Sequence, residues 1–340
     1  MNAVLFAFTE RGIETARRIG DCLAGEDCAW ELRVPARLAS KACPAYDGPL
    51  PEFIGTVFDR DALIFVGACG IAVRAIAPHV ASKLSDPAVL CVDERAGFVI
   101  PLLSGHIGGA NRLAHRLAGL LGATPVITTA TDVNGRFSVD AWAAAWDMAI
   151  SDMALAKRIS AEILTRDIPI CADRPLPEAL PDGLVPGDSG ALGICVSVRD
   201  IRPFAHTLRL VPRRLWVGIG CRRGIPEANI AAAVERVFEQ YNLCPEAVRG
   251  AASIDVKSDE AGLLAYCRDK GWPLCFYGAD ELERVRGSAS GSEFVKKTVG
   301  VDNVCERSAL AGGGRLIAPK TALNGVTVAV AEMEWGIEFG

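Results

Sequence analysis

Histidine is scarce in this chain, with four among 340 residues. Cysteine is not scarce, yet among the twelve there is no C-x-x-C and no Cys/His pair at zinc-finger spacing. That excludes the common structural zinc sites and a thioredoxin-like motif. Cys91, Cys171, Cys195 and Cys275 lie inside apolar, strand-like runs. The cysteines are therefore expected to be small buried hydrophobes in a reducing compartment. No apolar run approaches the length of a membrane span, and none of the partners is expected to be a membrane. The N-terminal MNAVLFAFTERG lacks a basic n-region and is too short in its apolar run for a signal peptide, so the expected location is the cytoplasm. Basic excess is missing too: the formal net charge is -5, which argues against a nucleic-acid partner. G-x-S-x-G, the P-loop, H-E-x-x-H and a Ser-His-Asp order are absent, and with them the commonest hydrolase and nucleotide motifs.

Half of the chain is hydrophobic and 23% charged, the balance of a folded globular protein. The length suggests two or three domains. AVLFAF (3–8), ALIFVG (62–67), AVLCVD and FVIPLL read as strands. The last two flank Arg95-Ala96-Gly97, a hairpin turn. Thr9 caps a helix opening with Glu10, IAVRAIAPHVASK is a helix that Pro78 kinks or ends, and Gly108–Leu121 is another. PVITT (125–129) follows as a strand. This alternation predicts an α/β fold with open parallel or mixed sheets flanked by helices. SVDAWAAAWDMAI and ALAKRISAEIL read as helices, IPICAD and ALGICVSV as strands, and RPLPEALPDGLVPGDSG as loop. From LWVGIG onward a new α/β series begins, closing with RLIAPK and VTVAVAEM around Leu323-Asn324-Gly325. The expected domains are 1–135, a middle region 136–212, and 213–340.

Two of the four histidines sit in LLSGHIGGANRLAHRL, from Leu102 to Leu117. Ser104, Gly105, Gly108 and Gly109 form a loop, and Asn111 and Arg112 fall in the first turn of the helix. Helix N-termini favour anions, glycines allow close approach, and Arg112 can clamp a carboxylate in a bidentate way. His106 can act as a base or hydrogen-bond donor near neutral pH. His115 and Arg116 read as flank residues of the helix. FVGACGIAVRAIAPH (65–79) offers Gly67, Gly70, Arg74 and His79, with anion binding and plain turn geometry as competing readings. ITTATDVNG (127–135) offers Thr128, Thr129 and Asp132. Ligands in open α/β sheets lie beyond the carboxyl ends of strands, so these three loops are expected to border one crevice. VGIGCRRGI (217–225) nearly matches a dinucleotide fingerprint through Gly218, Gly220 and Gly224, with the last glycine one residue late. Arg222 and Arg223 there meet an anion or are merely solvated. Finally, 296–320 is rich in glycine and basic residues and ends at Lys320.

The strings FVGACGIAVRAIAPHV, VDERAGFVIPLLSGHIGGANRLA, PVITTATD and LWVGIGCRRG…VTVAVAE, in that order, resemble CbiG, the cobalt-precorrin-5A hydrolase family of anaerobic cobalamin biosynthesis. The resemblance covers nearly the whole chain and is weakest over 140–210. It implies a reaction: opening of the ring-A δ-lactone and release of C20 with its methyl as acetaldehyde, giving cobalt-precorrin-5B. The implied partners are cobalt-precorrin-5A, water and other enzymes of the corrin pathway. No cofactor is implied, since cobalt arrives on the substrate. Arg74, Arg112, Arg222, Arg223 and Lys320 would meet the substrate's carboxylates, and the glycine loops its flat ring. His106 as base or proton shuttle, with the Gly108 and Gly109 N–H groups as oxyanion donors, is a reading of the residues themselves. Two other classes stay open: a non-catalytic corrinoid-binding or handover protein, and a nucleotide-dependent oxidoreductase resting on Gly218.

Overall fold

Apolar runs form the centre of the first sheet, in β1 (Asn2–Ala7), β3 (Ala62–Val66) and β4 (Ala88–Val92). Every residue of β3 and β4 is buried, as strands covered on both faces require. In this computed structural model, residues 1–24, 28–82, 85–285 and 303–339 are described. Contacts divide the chain into two compact units, Met1–Ala145 and Trp146–Gly340.

The first unit adds β2 (Ala29–Arg33), β5 (Phe98–Leu103) and the two-residue β6 (Thr124–Pro125), in the order β2-β1-β3-β4-β5-β6. Alternation along the strands sorts the core into two layers. Leu5, Ile64 and Leu90 face α1 (Glu10–Ala24) and α4 (Ala110–Leu121). Val4, Phe6, Leu63 and Phe65 face α2 (Leu50–Val57) and α3 (Cys69–Ile76). Strands β2, β1, β3 and β4 run parallel. The turn at Arg95-Ala96-Gly97 then reverses the chain, and β5 runs antiparallel to β4. Both Asp93 carboxylate oxygens fix this turn by accepting from the Arg95 and Phe98 N–H groups. Strand β6 follows β5 in parallel. The expected strand over 125–129 shortens because Pro125 has no N–H for the ladder, and Val126 makes the last bond, to the Val99 carbonyl. Two short helices, α5 (Ala130–Val133) and α6 (Val139–Ala145), close the unit.

In the second unit, β7 (Met148–Ile150), α7 (Met153–Glu162), β8 (Ile168–Ala172), β9 (Leu184–Pro186), β10 (Gly190–Val196) and β11 (Phe204–Pro212) build a sheet ordered β7-β11-β10-β8-β9. A second sheet comes from β12 (Leu215–Cys221), β13 (Val248–Ile254), β14 (Leu274–Tyr277), β15 (Arg315–Leu323) and β16 (Val326–Glu332), ordered β14-β13-β12-β16-β15. Helices α8 (Glu227–Gln240), α9 (Ala261–Lys270), α10 (Ala279–Arg284) and α11 (Val304–Ala311) accompany it. The expected β15–β16 hairpin is present, with positive φ at Asn324 and Gly325. One apolar cluster joins Val211 of the first of these sheets, and Val198 just after β10, to Leu215 and Val330 of the second sheet and Val237 of α8.

Several expectations change. The helix read over 138–150 stops at Ala145. Asp147 has a φ of 52°, which ends helical geometry, and Met148–Ile150 pair antiparallel with β11 instead. Strand β9 lies inside the stretch read as loop. It is an edge strand, where Pro186 loses no ladder bond. All twelve cysteines are free thiols. Burial, with a hydrogen bond given to Cys69, pushes the Cys91 thiol up to about 12, so it stays protonated and apolar. Among the described residues no helix is long and apolar enough to cross a membrane.

Candidate functional site

The loop after β5 is held by its own backbone. The Gly109, Ala110 and Asn111 N–H groups donate to the carbonyls of His106, Ser104 and Gly105. Ser104 is buried with φ of 56°, and its hydroxyl donates to the Asp86 carbonyl at 2.9 Å. A Cβ on Gly108 would stand 2.3 Å from that of Ser104, and one on Gly105 would stand 2.8 Å from Asn111 Oδ1. These glycines serve the packing of the loop on itself. The Gly109 N–H is already engaged, so it cannot be an oxyanion donor while this turn persists.

The turn places His106 between α5 and the start of α6. Its Nε2 lies 2.9 Å from Asp132 Oδ2 and its Nδ1 lies 3.0 Å from Asp140 Oδ1. The Ser138 hydroxyl donates to Asp140 Oδ1 at 2.9 Å and stands 3.1 Å from Nδ1. Buried Asn111 gives its amide to Asp132 Oδ2 at 3.1 Å and to Thr129 Oγ1 at 2.8 Å. Burial disfavours the imidazolium, but the hydrogen bonds and charges of Asp140 and Asp132 outweigh it and push His106 above its ordinary value. A histidine bridging two carboxylates is an arrangement for holding and passing a proton. Of this cluster, His106, Asn111, Thr129 and Asp132 were readable as candidates in the sequence. Asp140 and Ser138 were not, because S-x-D at the start of an apolar helical run reads as ordinary helix-start chemistry.

The other candidates fall elsewhere. Arg112 is exposed and lines a cleft of about 650 Å³ with Arg60, Asp61, Asp86, Gly108 and Arg116. Thr128 is exposed beside Thr129. The expected common crevice forms for two of the three loops: 127–135 meets the His106 loop through Thr129 and Asp132, and the loop after β3 stays apart. Because β5 is antiparallel to β4, Leu103 sits beside Val89 and Ser104 beside the entry to β4. Gly67, Gly70 and Arg74 follow β3, at the opposite end of the strands. Five residues of strand separate the two ends, roughly 16 Å at the usual rise. Arg74 spends its guanidinium on the Gly70 carbonyl, 3.2 Å away. His79 bonds the Pro51 carbonyl at 2.7 Å and packs on Phe58, tying the end of α3 to α2.

In the second unit, the near-fingerprint is structural at its first glycine. A Cβ on Gly218 would lie 1.8 Å from the Cys305 carbonyl oxygen, because the backbone of α11 rests on β12 there. A Cβ on Gly220 would meet Thr327 Oγ1 at 2.6 Å. Gly224 gives its N–H to Glu260. These contacts replace the phosphate cradle that a dinucleotide fold needs. The same turn opens onto a cleft of about 600 Å³ lined by Arg222, Arg223, Lys257 and Lys320 over apolar Ile254 and Val326. Arg223 pairs with Asp259 at 2.5 Å on the surface. Lys257, unmarked in the sequence, is brought in by the turn after β13. The basic stretch 296–302 lies outside the described residues. Among the described residues, no group of three or more His, Cys, Asp or Glu could hold a metal ion.

Two family models match the chain: Cobalamin synthesis G N-terminal over residues 52–132, and Cobalamin synthesis G C-terminus over residues 215–331. A cobalt-precorrin-5A hydrolase of Salmonella typhimurium is 36% identical over 346 residues, covering 95% of each chain. The chain belongs to the CbiG family. A cobalt-precorrin-5A hydrolase of Priestia megaterium is 27% identical, covering 96% of this chain and 93% of its own. Protein CobE of a Sinorhizobium species is 34% identical over 121 residues, which is 34% of this chain and 79% of its own. His106, Asn111 and Asp132 of this CbiG-family chain lie inside the N-terminal match, whereas Asp140 lies beyond it.

Proposed function

We propose that this CbiG-family protein hydrolyses cobalt-precorrin-5A, opening its ring-A δ-lactone and releasing C20 with its methyl as acetaldehyde. The observation that carries the reading is a 36% identical relative of that name, aligned over 95% of both chains. The chemistry of the loop after β5 supports it. Lactone opening needs a water relieved of a proton and a proton for the departing oxygen, and the row formed by Asp132, His106 and Asp140 can handle both. On this reading His106 is a member of that proton-handling row. The cobalt belongs to the substrate, and no resident cofactor is needed. Each unit by itself offers cations suited to the substrate's acetates and propionates: Arg112 in the first, and Arg222, Arg223 and Lys320 in the second.

Anaerobic incubation with cobalt-precorrin-5A, followed by mass spectrometry, tests the function. Acetaldehyde and cobalt-precorrin-5B are expected, and a folded preparation that releases no acetaldehyde overturns the reading. For His106 the test is His106→Gln, with turnover falling by about 10²-fold or more; near-normal turnover would remove it from the chemistry. The cationic C-terminal cleft favours a second reading, a corrinoid-binding or handover protein. Binding of the macrocycle without acetaldehyde release would select it.

A further inference from the structure

We propose that Asp132 is the catalytic group that exchanges a proton with the reacting water, and that Asp140 and Ser138 are positioning residues that hold His106 behind it. This rests on the hydrolase reading above. The side chains form a row graded by exposure: Asp140 at 11%, His106 at 14% and Asp132 at 33%. Both ring nitrogens of His106 are engaged, Nδ1 with Asp140 and Nε2 with Asp132. Such a ring takes no proton from water without breaking one of these bonds. Asp132 is different. Both hydrogen bonds it accepts, from His106 and Asn111, end on Oδ2. Its Oδ1 accepts none from the described residues, and it belongs to the most exposed member of the row.

The step balances on this geometry. A water O–H bond breaks, its oxygen bonds to the lactone carbonyl carbon, and the carbonyl π pair moves onto the carbonyl oxygen. The proton passes to Asp132 Oδ1. When the tetrahedral oxyanion collapses, the lactone C–O bond breaks and its electron pair leaves with the ring oxygen. The same proton returns to that oxygen, giving a carboxylic acid and an alcohol. With His106 as imidazolium, the row carries a formal charge of -1 before the proton arrives and zero afterwards. Asp140 supplies the countercharge that keeps the imidazolium in place, and Ser138 fixes the Asp140 oxygen it bonds. Among the described residues, the charged groups facing the ring are Asp132 from α5 and Asp140 from α6.

The test combines kinetics with NMR titration of the ring. Asp132→Asn is expected to lower kcat at least about 100-fold, with substrate affinity by absorbance titration within about threefold of wild type. Asp132→Glu should recover part of the loss. Asp140→Asn should lower kcat about tenfold, in the range of other outer-shell partners. It should also move the His106 titration to lower pH, and Ser138→Ala should do the same to a smaller extent. Only four histidines contribute signals, and His106→Gln identifies the one concerned. A merely space-filling Asp140 would lower thermal stability and leave the titration in place. Wild-type kcat in Asp132→Asn, or an unmoved titration in folded Asp140→Asn, overturns the proposal. If wild-type protein releases no acetaldehyde, the hydrolase reading falls and Asp132's role with it. The titration decides the positioning role by itself.

Discussion

At His106, burial and hydrogen bonding pull the ring in opposite directions, and the two carboxylates win. The sign of the linkage follows. The folded pKa is raised, so this stabilisation is fully present below the unfolded value of about 6.5 and is lost as pH rises through the higher folded value. The melting-temperature gap between wild type and His106→Gln should therefore be largest near pH 5.5 to 6.5 and shrink toward alkaline pH. Thermal denaturation across that range checks it, and a gap independent of pH would mean the ring is not held as imidazolium. At the same scale, Gly105 and Gly108 show what one sequence leaves ambiguous. A glycine needed for a ligand and a glycine needed by Ser104 or Asn111 look the same until the neighbour is known.

Among the elements, the turn after β4 decides where the site lies. By reversing β5 it sends the His106 loop to one end of the strands and leaves the Gly67–Arg74 loop at the other. The hairpin itself was legible from Arg95-Ala96-Gly97. Its consequence for the crevice needed the strand pairing. Helix α11 gives a second case, since its backbone lies directly on Gly218 of β12. Gly218→Ala should force helix and strand apart and destabilise the protein by about 1–3 kcal/mol, the usual range for overpacking a core. Urea unfolding measures this, and an unchanged midpoint would mean that α11 does not rest there. The same substitution at Gly271, where φ is 65° and nothing lies within 4 Å, strains only the backbone.

For the molecule as a whole, the second unit carries two sheets on a shared core. A buried ion pair adds to this. Glu332, at the end of β16, is 3% exposed and meets Arg174, which follows β8, at 2.5 Å. Trp335 donates its indole N–H to the same carboxylate and stacks under Arg174. Removing one partner of a buried pair leaves an uncompensated charge. Arg174 keeps 25% of its side chain in solvent, so Glu332→Ala should cost about 2–3 kcal/mol, below the fully buried range. Chemical denaturation with separate probes for the two sheets measures it. Loss of a single shared transition is the expected sign that the tie couples them.

The sequence by itself determined the α/β class, the central strands, the two hairpins and the family. These follow from local apolar runs, turn residues and ordered motifs, all of which are encoded within a few residues of one another. It also marked His106, Asn111, Thr129 and Asp132 as candidates, because rare polar residues beside glycines stand out against an apolar chain. Only the tertiary structure decided which of them meet. The Asp140 and Asp132 carboxylates reach His106 from 34 and 26 residues away, through strand direction and helix placement that no local pattern records. The same is true of His79, whose ring reaches the Pro51 carbonyl 28 residues away, whereas Arg74 turns to Gly70 of its own helix. A residue's type limits the chemistry it can do, and long-range pairing decides which partner it does it with.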